Sequence, residues 1–249
     1  MRSGLFILTA ALCAFFVASS AMAIVPITYV GEWTDVGDII RGMDCDVSGN
    51  LYVSDHGTKV VKFTPDGTMT TFASVNSTQP SGSLVDNSVV TSGTATSNVY
   101  SLDATGAMIT SWSHPDMSMG IDTDISGNVY LGVSEGRVFK YDSTGILLEE
   151  YDGLNGSYSG GDSFACGLAL SVDATTAYWI DCNGDGGDGT HAQLEALDLA
   201  TDTSTVLADL MMTVGHRGAV AINRNTGNIY VSARDDNVVQ EFSSDGVLP

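Results

Sequence analysis

The chain has 249 residues, with 30 acidic side chains against nine basic ones and a formal charge of −21. That balance excludes a general binder of the phosphate backbone, because lysine and arginine supply most of the affinity for nucleic acid, and it weighs against anionic membrane surfaces for the same reason. Cations, polycations and neutral ligands stay open as partners, beside the plainer reading that the acidity only maintains solubility.

The first 23 residues carry one cation at Arg2, then an apolar run, then the small-residue pattern Ala21-Met22-Ala23, which is the layout of a secretory signal peptide with its cleavage site. The run from Leu5 to Val17 is shorter than the ~20 residues that a spanning helix needs. Leu12 stands where a lipoprotein signal ending at Cys13 would need a small residue. The expectation is a cleaved leader at residues 1–23 and a single domain at residues 24–249, secreted or periplasmic, with no stable membrane insertion after cleavage. Losing Arg2 with the leader leaves eight bases against 30 acids, a charge of −22.

Past the leader, Ile27 to Trp33 reads as a lone strand. Then Gly42 to Gly67, "GMDCDVSGNLYVSDHGTKVVKFTPDG", aligns without a gap on Gly120 to Gly145, "GIDTDISGNVYLGVSEGRVFKYDSTG", at an offset of 78. Asp44 falls on Asp122, Asp46 on Asp124, Asn50 on Asn128, Tyr52 on Tyr130 and Lys62 on Lys140. Half the offset is 39, and "SNVYSLDATG" places Leu102 and Gly106 39 residues past Phe63 and Gly67, so a worn copy lies between. A fourth copy from Gly167, lengthened by insertions, and a fifth from Ala219 complete the count.

Within a unit, the apolar stretch Met43 to Val47 meets a turn signal at Ser48-Gly49-Asn50, followed by the β-rich Leu51 to Ser54. Val60 to Phe63, a second turn at Pro65-Asp66-Gly67 and Met69 to Phe72 follow. Gly, Asn and Asp supply the turn conformations, and the β-branched and aromatic residues suit a pleated surface, so each unit is a four-stranded antiparallel meander. Units of this length and strand count are the mark of a β-propeller blade, which buries its faces only by stacking on its neighbours. A linear solenoid is the competing arrangement.

The recurring pattern of Gly, apolar, Asp, then Gly-Asn-apolar-Tyr-Val, then apolar-aromatic-Asp-Gly resembles the NHL repeat family. The resemblance spans nearly the whole mature chain and is closest at Gly42 to Phe72 and Gly120 to Tyr151. It implies an all-β propeller of four-stranded blades, five by the repeat count. NHL-like rings often have six, and the degenerate stretch Asn76 to Ser97 and the insertion at 154–163 leave that number open. The ring is expected to close through Ile27 to Trp33, completing the C-terminal blade that stops at "SSDGVLP".

In a propeller the turns joining first to second and third to fourth strands share one face, and the longer loops share the other. The longer loops hold His56, His114, His191 and His216 with Arg41 and Arg217, and loops on a rigid scaffold are where binding residues concentrate. Arg41, His114, His216 and Arg217 are the candidate ligand contacts, the two guanidiniums suiting a carboxylate; pairing with acids such as Asp35, Asp38 or Asp235 is the alternative. In "DCNGDGGDG", Asp181, Asn183 and Asp185 repeat a spacing that turns oxygens onto Ca²⁺, with Asp188 available as a further ligand. Ala192 stands where the bidentate Glu of an EF-hand would be, so a solvated acidic loop is the competing reading. Cys166 and Cys182 flank a hairpin centred near Ala174 and are expected to face each other as a disulfide in an oxidising compartment, while Cys45 is expected to be a buried, inert thiol. Tyr52, Phe63, Tyr130, Tyr141 and Phe242 recur as packing residues between blades.

No nucleophile elbow, phosphate loop or cofactor fingerprint appears in the sequence. The function expected is therefore a non-enzymatic binding module that contacts an extracellular or periplasmic protein, glycan or small ligand through the loop-rich rim; NHL repeats mostly serve as such platforms. The repeat plan is also similar to streptogramin lyase and gluconolactonase-type propellers, which implies the alternative of a metal-assisted lyase or lactonase using His114 and His216 at a central funnel. A purely structural spacer is the third class.

Overall fold

The structure, a computed structural model, describes residues 40–55, 59–75, 79–82, 86, 88–93, 97–133, 136–152, 165–181, 192–210, 219–233 and 238–247, with Arg41 and Cys166 given by their backbone alone. The leader, the Ile27 to Trp33 piece with the closure expected of it, and the insertion at 154–163 lie outside these residues.

Every regular element described is a strand. Blade 1 comprises β1 (Ile40–Cys45), β2 (Leu51–Asp55), β3 (Val60–Phe63) and β4 (Met69–Ala73). Blade 2 holds β5 (Gln79–Gly82), β6 (Val89–Gly93), β7 (Asn98–Leu102) and β8 (Met108–Ser113); blade 3 holds β9 (Ser118–Thr123), β10 (Val129–Val133), β11 (Val138–Tyr141) and β12 (Leu147–Tyr151). Blade 4 holds β13 (Ala165–Leu170), β14 (Thr176–Asp181), β15 (Ala192–Asp198) and β16 (Thr203–Leu210), and blade 5 shows β17 (Ala219–Ile222), β18 (Ile229–Ala233) and β19 (Val238–Phe242). Each sheet is an antiparallel meander in chain order, and the innermost strands β1, β5, β9, β13 and β17 lie each against the next. The chain is thus a five-bladed β-propeller. The stretch Asn76 to Ser97 contributes β5 and β6 to blade 2 rather than hiding a sixth blade.

The repeated string is explained by the first turn of a blade. Asp46 Oδ1 accepts the backbone N–H of Ser48 and of Asn50, both at 2.9 Å, and Oδ2 accepts Asn50 Nδ2 at 2.8 Å and the Tyr52 hydroxyl at 2.9 Å. Asp124 repeats the set with Ser126, Asn128 and Tyr130. One carboxylate therefore folds the turn and ties it to the second strand, which is why Asp, Asn and Tyr recur together. Gly49 and Gly127 take the left-handed conformation in these turns, with φ of 77° and 80°.

The core lies between blades. Tyr130 packs on Leu168, Leu170 and Trp179 of blade 4. Tyr52 packs on Val60 and on Val89 of blade 2, and its ring meets Phe72 edge-on at 4.8 Å. The expected packing residues Tyr52, Phe63, Tyr130, Tyr141 and Phe242 are all buried. Burial of each such side chain contributes about 1.5–3 kcal/mol, so the inter-blade layers are where stability resides.

Two local expectations are corrected. Cys45, the last residue of β1, is a free and exposed cysteine: side chains alternate along a strand, Asp44 points to blade 2, and Met43 and Cys45 are turned to the other, exposed side. The hairpin of β13 and β14 sets Cys166 opposite Ile180 and Ala165 opposite Asp181, with a register shift between Cys166 and Ala169. Cys166 is therefore not directly across from position 182, and Cys182 itself lies outside the described residues.

Candidate functional site

Among the candidate rim residues, His114 is described in full. It sits between β8 and β9, its backbone N–H donates to Ser97 O at 2.9 Å, and its side chain is 4% exposed. Among the described residues neither ring nitrogen has a hydrogen-bond partner. Burial pushes the imidazole below its ordinary pKa, against a smaller upward pull from Asp116, so the ring is neutral near pH 7. Asp116 in turn accepts from Arg137 at 2.5 Å, and the other guanidinium nitrogen donates to Glu150 at 2.6 Å. The histidine is thus a buried neutral ring beside a three-membered ion cluster.

The side chains of the other rim candidates are not among those described. Arg41 is placed on β1 by its backbone; His216 and Arg217 lie outside the described residues, as do His56 and His191. Of the candidate calcium ligands, Asp181 ends β14 and is buried, whereas Asn183, Asp185 and Asp188 lie outside. Beside Asp181, Glu195 is held above its ordinary pKa by burial and by the Asp181 charge, against a hydrogen bond from Ser204 Oγ at 2.6 Å. Among the described residues no group of three or more His, Cys, Asp or Glu is placed to hold a metal ion.

The chemistry-bearing cluster that is described lies at the other end of the inner strands, near the axis. Asp44 Oδ2 accepts the backbone N–H of Gly82 in blade 2 at 2.8 Å, and Oδ1 accepts that of Cys45 at 2.8 Å. Its repeat mate Asp122 does the same two blades on, with Leu170 N of blade 4 at 2.8 Å and Thr123 N at 2.7 Å. Ser81 of β5 stands between them, its hydroxyl 3.5 Å from Asp122 Oδ1 and 3.3 Å from Thr123 Oγ1. Arg224, in the first turn of blade 5, reaches Asp122 with Nη2 at 3.2 and 3.4 Å. That bond joins blade 5 to blade 3, which are separated by blade 4.

Two carboxylates lie near one guanidinium here, which contacts only Asp122. Asp44 is raised to about 6, by burial first and by the Asp122 charge second, against the N–H groups of Gly82 and Cys45 and the more distant Arg224. Asp122 is raised by burial and drawn back by Arg224. The arrangement ties blade 1 to blade 2, blade 3 to blade 4 and blade 5 to blade 3, leaving each Asp122 oxygen already engaged.

Sequence reasoning missed this cluster although a signal was present. Asp44 and Asp122 are a repeat pair, and in the turn motif Val47 and Ile125 occupy the place that Arg224 takes in "INRNTGN". A cation where the repeat is apolar is the departure that marks it.

No family model matches the sequence, and no curated protein sequence matches it. Solved structures do match in fold. A chain of a nidogen/laminin complex superposes with a TM-score of 0.60 at 17% identity, covering 82% of this chain and 75% of that one. A chain of hydrazine synthase from Kuenenia stuttgartiensis gives a TM-score of 0.59 at 12% identity, covering 87% and 70%. At such identities the likeness is one of fold, and it agrees with the ring of blades: the chain is similar to propeller-containing proteins of dissimilar sequence.

Proposed function

We propose that the chain is an exported, non-enzymatic binding module of NHL-like type, whose loop-rich rim engages a protein, glycan or small ligand outside the cytoplasm. The observation that carries this reading is the inter-blade cluster: the axial carboxylates Asp44 and Asp122 are engaged in holding blades together, where a funnel-centred lyase or lactonase would direct such groups at a cation and substrate. His114, buried and neutral, fits a packing role better than that of a proton shuttle. A propeller of similar fold comes from a crystal of a nidogen/laminin complex, which supports a protein partner as one class. Arg41, His216 and Arg217 are the proposed rim contacts. Calcium held by Asp181, Asn183, Asp185 and Asp188 would brace the neighbouring loop.

The test is direct binding of the secreted full-length product to panels of extracellular proteins and glycans. The reading expects a saturable partner whose affinity drops about tenfold in an Arg41→Ala, Arg217→Ala variant. Turnover of lactone or streptogramin substrates with added divalent cation, abolished by His114→Ala and His216→Ala while substrate affinity persists, would establish the enzyme instead.

A further inference from the structure

Blade 2 departs from blades 1, 3 and 5 at one internal pair, and unlike blade 4, which pairs Tyr178 with Ala196, it lacks the tyrosine as well. In blades 1, 3 and 5, the third-strand residue five places before the left-handed glycine of the second turn, Gly67, Gly145 or Gly246, is Lys62, Lys140 or Glu241. Its second-strand partner is Tyr52, Tyr130 or Tyr230. Counting back from Gly106 in blade 2 gives Ser101, and its partner is Val90. In blades 1 and 3 the lysine lies over the tyrosine ring, Lys62 Nζ at 5.4 Å and Lys140 Nζ at 5.3 Å from the centroid. Blade 2 thus has a valine and a serine where a stacked phenol and ammonium fill the equivalent space.

The tyrosines of blades 1 and 3 face the following blade, and Val90 likewise faces Ile121 and Val129 of blade 3. The shortened pair opens the floor of a cleft of about 600 Å³ between blades 2 and 3, on the turn face. Val90 and Ser101 form its floor, Ile109 and Thr110 of β8 one wall, and the first turn of blade 3, Thr123 to Gly127, the other. This size lies within the usual range for small-molecule sites.

The lining decides the ligand. Among the described residues the cleft is lined by no basic side chain that would balance an anion. Its carboxylates are Asp86 and Asp124; all four donors described above converge on Asp124, and Asp86 Oδ1 accepts the N–H and hydroxyl of Ser88 at 3.1 and 2.7 Å. A cation would have to compete with those bonds. Among the described residues no side-chain hydrogen bond engages the hydroxyls of Ser101, Thr110, Ser126 and Ser143, which line the same cleft. A hydroxyl both donates and accepts and rotates to suit, which matches the O–H groups of an uncharged polyol. Ile109 and Ile125, 61% and 66% exposed, supply an apolar surface for a ring's C–H face. We propose that the blade 2–blade 3 cleft, opened by Val90 and Ser101, is a binding site for a neutral saccharide of one or two rings. It lies on the face opposite the loop rim and does not depend on the rim reading.

The experiment is titration calorimetry of the full-length secreted product with neutral mono- and disaccharides, spermidine serving as the cationic control. Saturable binding of a neutral sugar is expected, weakened about tenfold by Ser101→Ala with Thr110→Ala, through lost hydrogen bonds. Val90→Tyr should refill the floor and abolish binding while leaving the thermal midpoint unchanged or raised; if that variant fails to fold, the hydroxyl pair decides. Rim variants at Arg41 and Arg217 should leave sugar binding untouched, which separates this site from the rim. No heat with any neutral sugar, binding indifferent to Ser101 and Thr110, or preference for spermidine overturns the proposal.

Discussion

Asp44 and Asp122 show how one repeated residue acquires two electrostatic settings. Each accepts a backbone N–H from the next blade, but Arg224 contacts only Asp122. Asp44, part-buried and facing the Asp122 charge, is raised from an ordinary 3.8 to about 6. The folded chain therefore holds that proton more tightly than the unfolded chain does. The stabilisation is complete below pH 3.8 and is lost as pH rises through about 6, by at most about 3 kcal/mol. Urea unfolding of wild type and Asp44→Asn at pH 4.5 and pH 7 checks this: wild type should lose stability relative to the variant on going to neutral pH, and parallel pH profiles would show that Asp44 does not titrate in this window. The repeat alignment made the Asp44–Asp122 pairing legible. It left the exposed thiol of Cys45 illegible, because an inner strand has two sides and only the neighbouring blade tells which one is covered.

At the scale of the element, the blades interlock through their second turns. A methyl group on Gly106 would lie 2.0 Å from Phe72 O of blade 1, and one on Gly145 would lie 2.6 Å from the Trp112 ring of blade 2. Both glycines are left-handed, with φ of 86° and 91°. By contrast a methyl on Gly127, also left-handed, meets nothing nearer than Ser143 Cβ at 3.8 Å. Gly127→Ala should then lower stability by about 1–2 kcal/mol through backbone strain alone, and Gly145→Ala by a further 1–3 kcal/mol or so from the collision with Trp112. Chemical denaturation of the two variants side by side measures the difference, and equal losses would mean the turn does not dock on the preceding blade. The meanders themselves were readable from turn residues and alternation in all but blade 2. There Val90 and Ser101 replace the tyrosine–lysine pair that carries the motif, so β5 and β6 gave no repeat signal. The change that hid the blade from the sequence pattern is the same one that opens the cleft.

Across the whole molecule, the described blades are held by layers between neighbours and by the Arg224–Asp122 bond that skips one blade. Removing Arg224 leaves the buried Asp122 without its counter-charge, and with Arg224 itself 32% exposed the loss from Arg224→Met should be about 1–3 kcal/mol. Adding Asp122→Asn should recover part of it. Thermal unfolding of the single and double variants reads the coupling, and strictly additive losses would mean that the pair contributes nothing between the two blades. The sequence marked Arg224 as a cation where the repeat is apolar but gave no sign of its partner, since the contact joins residues 102 apart in blades that are not neighbours, whereas the ring itself followed from a local repeat. The hub pair also bears on the size of the wheel. Each spoke added to a ring widens its middle and lengthens the span over one spoke. A sixth copy would therefore stretch the bond by which Arg224 reaches Asp122 at 3.2 Å.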